Sequence, residues 1–152
     1  MGATGFVGAT LSHVQRIEIE HDFAVPVDRA FAYLSEHENL GPLFGAQVTR
    51  VRDGETSRNG VGSVRSLKVG PLPAFDETVT ALVPNERIEY RITRGGPLRS
   101  HHAVMSLSPN GTGSHLRYVI EFGAVVPGLD RVVKAMLVRS ITANLSAVDA
   151  NA

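Results

Sequence analysis

The chain has 152 residues, which suits one domain able to bury roughly two thirds of its unfolded surface without a disulfide or metal staple. Fifteen Lys and Arg balance fifteen Asp and Glu, and the pI is near neutral, which argues against general attraction to nucleic acid or anionic membrane. The absence of cysteine excludes thiol nucleophiles, cysteine-ligated zinc and disulfides.

Residues 1–14 read as a flexible tail. Gly2 to Gly8, GATGFVG, has the glycine spacing of a dinucleotide fingerprint, but only Met1 precedes it where a buried strand is needed. No nucleotide cofactor is therefore expected. Met1 to Ser12 also lacks a basic region, so no secretory signal is expected, and no segment reaches the ~20 apolar residues of a membrane helix. A cytoplasmic protein without stable membrane association follows.

Arg16 to Val25 alternates: Ile17, Ile19, His21, Phe23 and Val25 share one face, and Glu18, Glu20 and Asp22 share the other. Pro26 ends this strand and can open a helix carrying Val27, Ala30, Phe31 and Leu34 on one stripe. Asn39, Gly41, Pro42 and Gly45 limit Glu38 to Phe44 to a turn or a second short helix, and His37-Glu38-Asn39 reads as a solvated helix end. Strands are then predicted over Ala46–Arg52, Ser63–Val69, Phe75–Val83, Arg87–Thr93, Leu98–Leu107 and Ser114–Phe122. Short turn signals separate them, among them Asp53-Gly54, Pro84-Asn85, Gly95-Gly96-Pro97 and Pro109-Asn110-Gly111, as in a meander of hairpins. Arg50, Arg52 and Arg58 flank a polar loop and read as a solvated hairpin.

Pro127 to Val148 predicts one long amphipathic helix. Leu129, Val132, Val133, Met136, Leu137, Ile141, Leu145 and Val148 fall on one stripe. Only the preceding strands can cover it, so the fold class is α+β: a curved antiparallel sheet of six or seven strands, two short helices after the first, and a long C-terminal helix across the concave face.

Alternation also assigns side-chain direction. Met105 and Leu107 put Ala103, His101 and Arg99 on their face, with His102 opposite; Arg65, Glu77, Tyr90 and Tyr118 likewise sit among apolar neighbours. Polar groups buried alone cost several kcal/mol, so His21, Arg65, Glu77, Tyr90, His101 and Tyr118 are candidate walls of a ligand cavity. Local hydrogen bonds or wet strand ends are the other way to satisfy each of them. Met105, Val133, Met136 and Leu137 supply apolar lining. His21 or His101 with Glu77 would suit proton abstraction from an activated carbon, with Arg65, Tyr90 or Tyr118 holding the developing enolate oxygen. No Gly-x-Ser-x-Gly elbow, His-Glu-x-x-His pair or Walker-type loop occurs, and no metal site is expected.

The order of elements resembles the START-like superfamily, also called the SRPBCC or polyketide cyclase/dehydrase type. Residues 23–31 look like its first strand, proline and helix start; Asn39 to Leu43 like the segment before a usual tryptophan, here left to Phe44; Pro84 to Tyr90 like a middle hairpin; Met105 to Ser114 like the penultimate hairpin. The resemblance covers about residues 16–148 within a single domain of 15–150, and implies the helix-grip fold with an apolar cavity under the long helix. It implies a small apolar or aromatic ligand, polyketide- or lipid-like, and a monomer or homodimer. It leaves three readings open: cyclase or dehydrase action on that ligand, a non-catalytic lipid or isoprenoid carrier or sensor, and a protein-interaction module.

Overall fold

The computed structural model describes residues 14–152, so the glycine-rich segment and the tail expectation lie outside the described residues. The chain runs β1 (Gln15–Phe23), α1 (Val27–Ser35), a 3-10 turn (His37–Asn39), α2 (Leu40–Phe44), β2 (Gln47–Arg52), β3 (Val64–Lys68), β4 (Phe75–Val83), β5 (Arg87–Gly95), β6 (Leu98–Asn110), β7 (Gly113–Ala124), α3 (Leu129–Asn144) and α4 (Ser146–Asn151). The seven strands form one antiparallel sheet in the order β1-β7-β6-β5-β4-β3-β2. This is the helix-grip architecture.

Alternation decides which face is buried. On β7, Leu116, Tyr118, Ile120 and Phe122 point into the core, while Arg117 and Glu121 reach Glu18 and Arg16 on the outer face. β1 stops two residues short of the predicted end. The Asp149 carboxylate on α4 accepts the N–H groups of Ala24 (2.8 Å) and Val25 (3.2 Å), drawing that backbone out of the ladder. On β6 a register shift between Arg99 and His102 breaks the alternation. His101 stays buried, but Arg99 turns out to solvent, contrary to the shared face expected for them.

The C-terminal helix is bent rather than single. Gly128 has φ 87°, outside helical space, so α3 begins at Leu129. Leu145, itself helical at φ −62°, joins α3 to α4. The inward stripe is narrower than expected. Val133, Ile141, Leu145 and Val148 are buried, whereas Val132 and Met136 are 55% and 43% exposed. α2 grips α3 from the side: the Ser140 hydroxyl donates to the Leu43 carbonyl at 2.9 Å. Gly45 ends α2 with φ 66°, and a Cβ there would lie 3.2 Å from Ser140 Oγ. No helix among the described residues is long and apolar enough to cross a membrane.

Candidate functional site

The space between sheet and α3 is a cavity lined by Phe44, Leu67, Val69, Leu72, Phe75, Ile92, Pro97, Leu98, Ile120, Val133, Met136 and Leu137, with Glu77, Tyr90 and His101 as its polar wall. Its interior holds about 60 Å³, and about 670 Å³ when the solvent-open mouth is counted. The interior alone is well below the ~300–1,000 Å³ usual for drug-sized ligands. A bicyclic occupant would need the flexible Met136 side chain at the mouth to yield.

The polar wall is built by strand register. Arg65 on β3 and Glu77 on β4 are direct cross-strand partners. Arg65 Nε donates to Glu77 Oε1 at 2.8 Å, and the guanidinium carbon lies 4.5 Å from the centre of the Tyr90 ring. Both members of the ion pair are at least nine-tenths buried. Burial pushes the Glu77 carboxyl above its ordinary range, opposed by the charge and hydrogen bond of Arg65.

His101 is fixed in one tautomer. The Ile92 backbone N–H donates to its Nδ1 at 3.1 Å, so the ring proton of the neutral imidazole is on Nε2. Burial pushes its pKa down to about 3, assisted by the nearby charge of Arg65. Nε2 faces Glu77 Oε2 at 4.0 Å, beyond direct hydrogen-bond reach. This pair therefore offers one donor, His101 Nε2–H, and one acceptor, Glu77 Oε2. An oxygen placed about 2.8 Å from both would accept from the first and donate to the second.

Tyr90 lines the cavity beside this pair, and Tyr118 is buried outside the lining. The Tyr90 and Tyr118 hydroxyls hydrogen-bond to each other, and burial raises both phenols well above their ordinary value. Neither ionises near neutral pH.

The expected residues thus divide. Glu77, Tyr90, His101, Val133, Met136 and Leu137 line the cavity. Arg65, Tyr118 and Met105 are buried outside its lining, the first two bonded to residues of its wall. His21 is not among the lining residues: its ring lies against Phe23, centroids 4.8 Å apart, and it pairs with Leu116 on the β1–β7 side of the sheet. Val69, Leu72, Pro97 and Leu98, which the sequence reading passed over, come from the ends of β3 and β6 and the turns beside them. Their apolar character within Gly- and Pro-rich turns was the available signal. No group of three His, Asp or Glu suited to a metal ion occurs among the described residues.

A family profile described as polyketide cyclase/dehydrase and lipid transport matches residues 14–152. No curated protein matches the chain. Among solved structures, it is similar to a START superfamily protein from Mycobacterium smegmatis (TM-score 0.72, 14% identity, covering 89% of this chain and 94% of that one). It is also similar to the Zhui aromatase/cyclase of Streptomyces sp. R1128 (TM-score 0.70, 19% identity, 91% and 93% covered). The norcoclaurine synthase of Thalictrum flavum gives a TM-score of 0.67 at 13% identity, with 97% and 90% covered. At these identities the likeness is one of fold.

Proposed function

The chain belongs to the polyketide cyclase/dehydrase and lipid-transport family, and from that premise we propose that its cavity binds a small, mainly aromatic molecule bearing one enolisable or phenolic oxygen. The observation that carries this reading is the His101 Nε2 and Glu77 Oε2 pair, 4.0 Å apart in the wall of an otherwise apolar cavity. The apolar lining takes the rings. The pair takes the oxygen, since one hydroxyl or enol satisfies both atoms.

The same pair supports a proton transfer. Glu77 Oε2, whose partner oxygen is held by Arg65, takes a proton from the carbon beside a carbonyl. The carbonyl oxygen gains charge as the enolate forms, and His101 Nε2–H donates to it. His101 does not act as the base, because the lone pair on Nδ1 is committed to Ile92. His21 has no part in this reading.

The test uses two probes. 1-Naphthol binding, followed by fluorescence, is expected to weaken about tenfold in Glu77→Gln and in His101→Phe, one hydrogen bond to a charged or buried group each. Exchange of the α-protons of 1-tetralone in D₂O, followed by NMR, is expected above background and to fall ~10²-fold in Glu77→Gln. Binding without exchange would favour a non-catalytic carrier, a reading that the predominantly apolar lining also supports. No binding of either probe would overturn the proposal.

A further inference from the structure

His37 is not the solvated helix end that its neighbours suggest. It is fully buried, and its Nε2 lies 3.0 Å from the hydroxyl of Ser63, which is also fully buried. The Ser63 hydroxyl donates its proton to the Gly60 carbonyl at 2.7 Å. The serine oxygen must then accept from His37 Nε2–H, which leaves Nδ1 of the neutral ring as a bare acceptor. Burial, with the nearby charge of Arg65 next in weight, pushes this ring down to about 3, so it is neutral at physiological pH.

Arg65 shows the complementary defect. Its Nε is committed to Glu77 and its face to Tyr90, and Nη2 is buried without a partner. His37 Nδ1 and Arg65 Nη2 are the two buried side-chain atoms without a hydrogen bond among the described residues, one an acceptor and the other a donor. The two residues are within electrostatic reach of each other, since the charge of Arg65 acts on the His37 ring. Ser63 and Arg65 are two residues apart where the chain enters β3, so their side chains leave on the same face, with Cα atoms roughly 6–7 Å apart. His37 is tied to the first of them.

We propose that one ordered water bridges Nδ1 of His37 and Nη2 of Arg65, and that His37, through this water, is a positioning residue for the Arg65–Glu77 pair. The water accepts from the guanidinium and donates to the imidazole. Two lone buried groups, each otherwise left with its desolvation unrepaid, become paired. A chain of polar contacts then runs from Gly60 through Ser63, His37, the water and Arg65 to Glu77 in the cavity wall. Held from behind, Arg65 stays on Oε1 of Glu77 and leaves Oε2 facing the ligand space.

Glu77 is the reporter. The groups that face it are Arg65 from β3, Tyr90 from β5, His101 from β6 and Tyr118 from β7, and Arg65 is the one holding its pKa down. In place of His37, Gln keeps an amide near the Nε2 position and the Ser63 contact, whereas Asn keeps an oxygen near the Nδ1 position and the contact to the water. High-resolution crystallography of the wild type is expected to show the water within about 3 Å of both atoms. In ¹³C NMR titrations, His37→Gln is expected to raise the Glu77 midpoint by about half a unit or more, while His37→Asn stays within about 0.2 unit of wild type. Absent water density, a direct His37–Arg65 hydrogen bond, or equal shifts in the two variants would overturn the proposal. The wild-type density requires no substitution, so the test survives a variant that fails to fold. None of these readouts involves a cavity ligand, so their outcome is separate from that of the proposed binding activity.

Discussion

Arg65 and Glu77 form an ion pair with almost no solvent around it, so the two residues must be judged together. Removing one leaves a buried charge unpaired. Arg65→Ala is expected to destabilise the fold by about 3–5 kcal/mol in urea unfolding, whereas Arg65→Met combined with Glu77→Leu is expected to recover most of that loss. A recovery of this kind would show that the pair is kept for the cavity and not for stability. The buried histidines set an acid limit. His37 and His101 ionise near pH 3 in the folded chain and near 6.5 when unfolded. Their folded pKa values are depressed, so the stability they provide is complete above pH 6.5 and is lost as pH falls toward 3. Each contributes a slope of roughly 1 kcal/mol per pH unit inside that window. Glu77, raised by burial, opposes them in the part of the window above its unfolded value. The clean measurement is a difference: His101→Gln is expected to show a shallower loss of stability than wild type between pH 6.5 and 3. An unchanged slope would mean that the ring already ionises in the folded protein.

At the scale of elements, the face of each strand was legible in the sequence and its place across the sheet was not. Alternation put Glu77, Tyr90 and His101 inward because a period of two holds locally around each of them, although the β4–β5 pairing shifts register next to Glu77 and again after Val79. The same logic put His21 inward, and it does share a face with Ile17 and Phe23. But β1 is at one edge, beyond β7, while the cavity's polar wall spans β4, β5 and β6. Lateral order depends on long-range pairing, which no local pattern encodes. Arg99 was misread for a different reason: the irregularity after it shifts the register by a residue, and one step reverses every side chain. His37 was misread because the hydroxyl that it bonds in the interior, Ser63, is twenty-six residues away. The contacts that fasten helices to the sheet are equally non-local and equally testable. Gly45→Ala places a side chain in left-handed backbone and against Ser140, and is expected to cost about 1–2 kcal/mol in thermal unfolding. Asp149→Ala removes the acceptor for two backbone N–H groups and is expected to cost a similar amount, while Asp149→Asn retains most of the stability.

Across the whole molecule, α3 serves two purposes along its length. Its first half, with Val133, Met136 and Leu137, walls the cavity; its second half, with Ile141 and then Leu145, is sealed into the core beside β1, β7 and the short helices. The division follows from what lies beneath the helix: α3 packs on β1, β7 and α2, while the cavity lies between it and the residues of β4 and β5. Truncations in the two halves should therefore separate binding from stability. Ile141→Ala is expected to destabilise by about 2–5 kcal/mol, because a fully buried side chain leaves a void that its neighbours cannot fill, with no change in the size of ligand accepted. Leu137→Ala or Met136→Ala removes atoms that already border open space, so the stability loss is expected to stay below about 1.5 kcal/mol while the cavity gains volume. Those two variants should bind tricyclic phenols more tightly relative to 1-naphthol than the wild type does. The comparison is made by fluorescence titration of each variant against both ring sizes. If Ile141→Ala changed the size preference, or Leu137→Ala and Met136→Ala left it untouched, the ligand would not lie beneath the first half of α3, and the sheet–helix cavity would lose its claim to be the site.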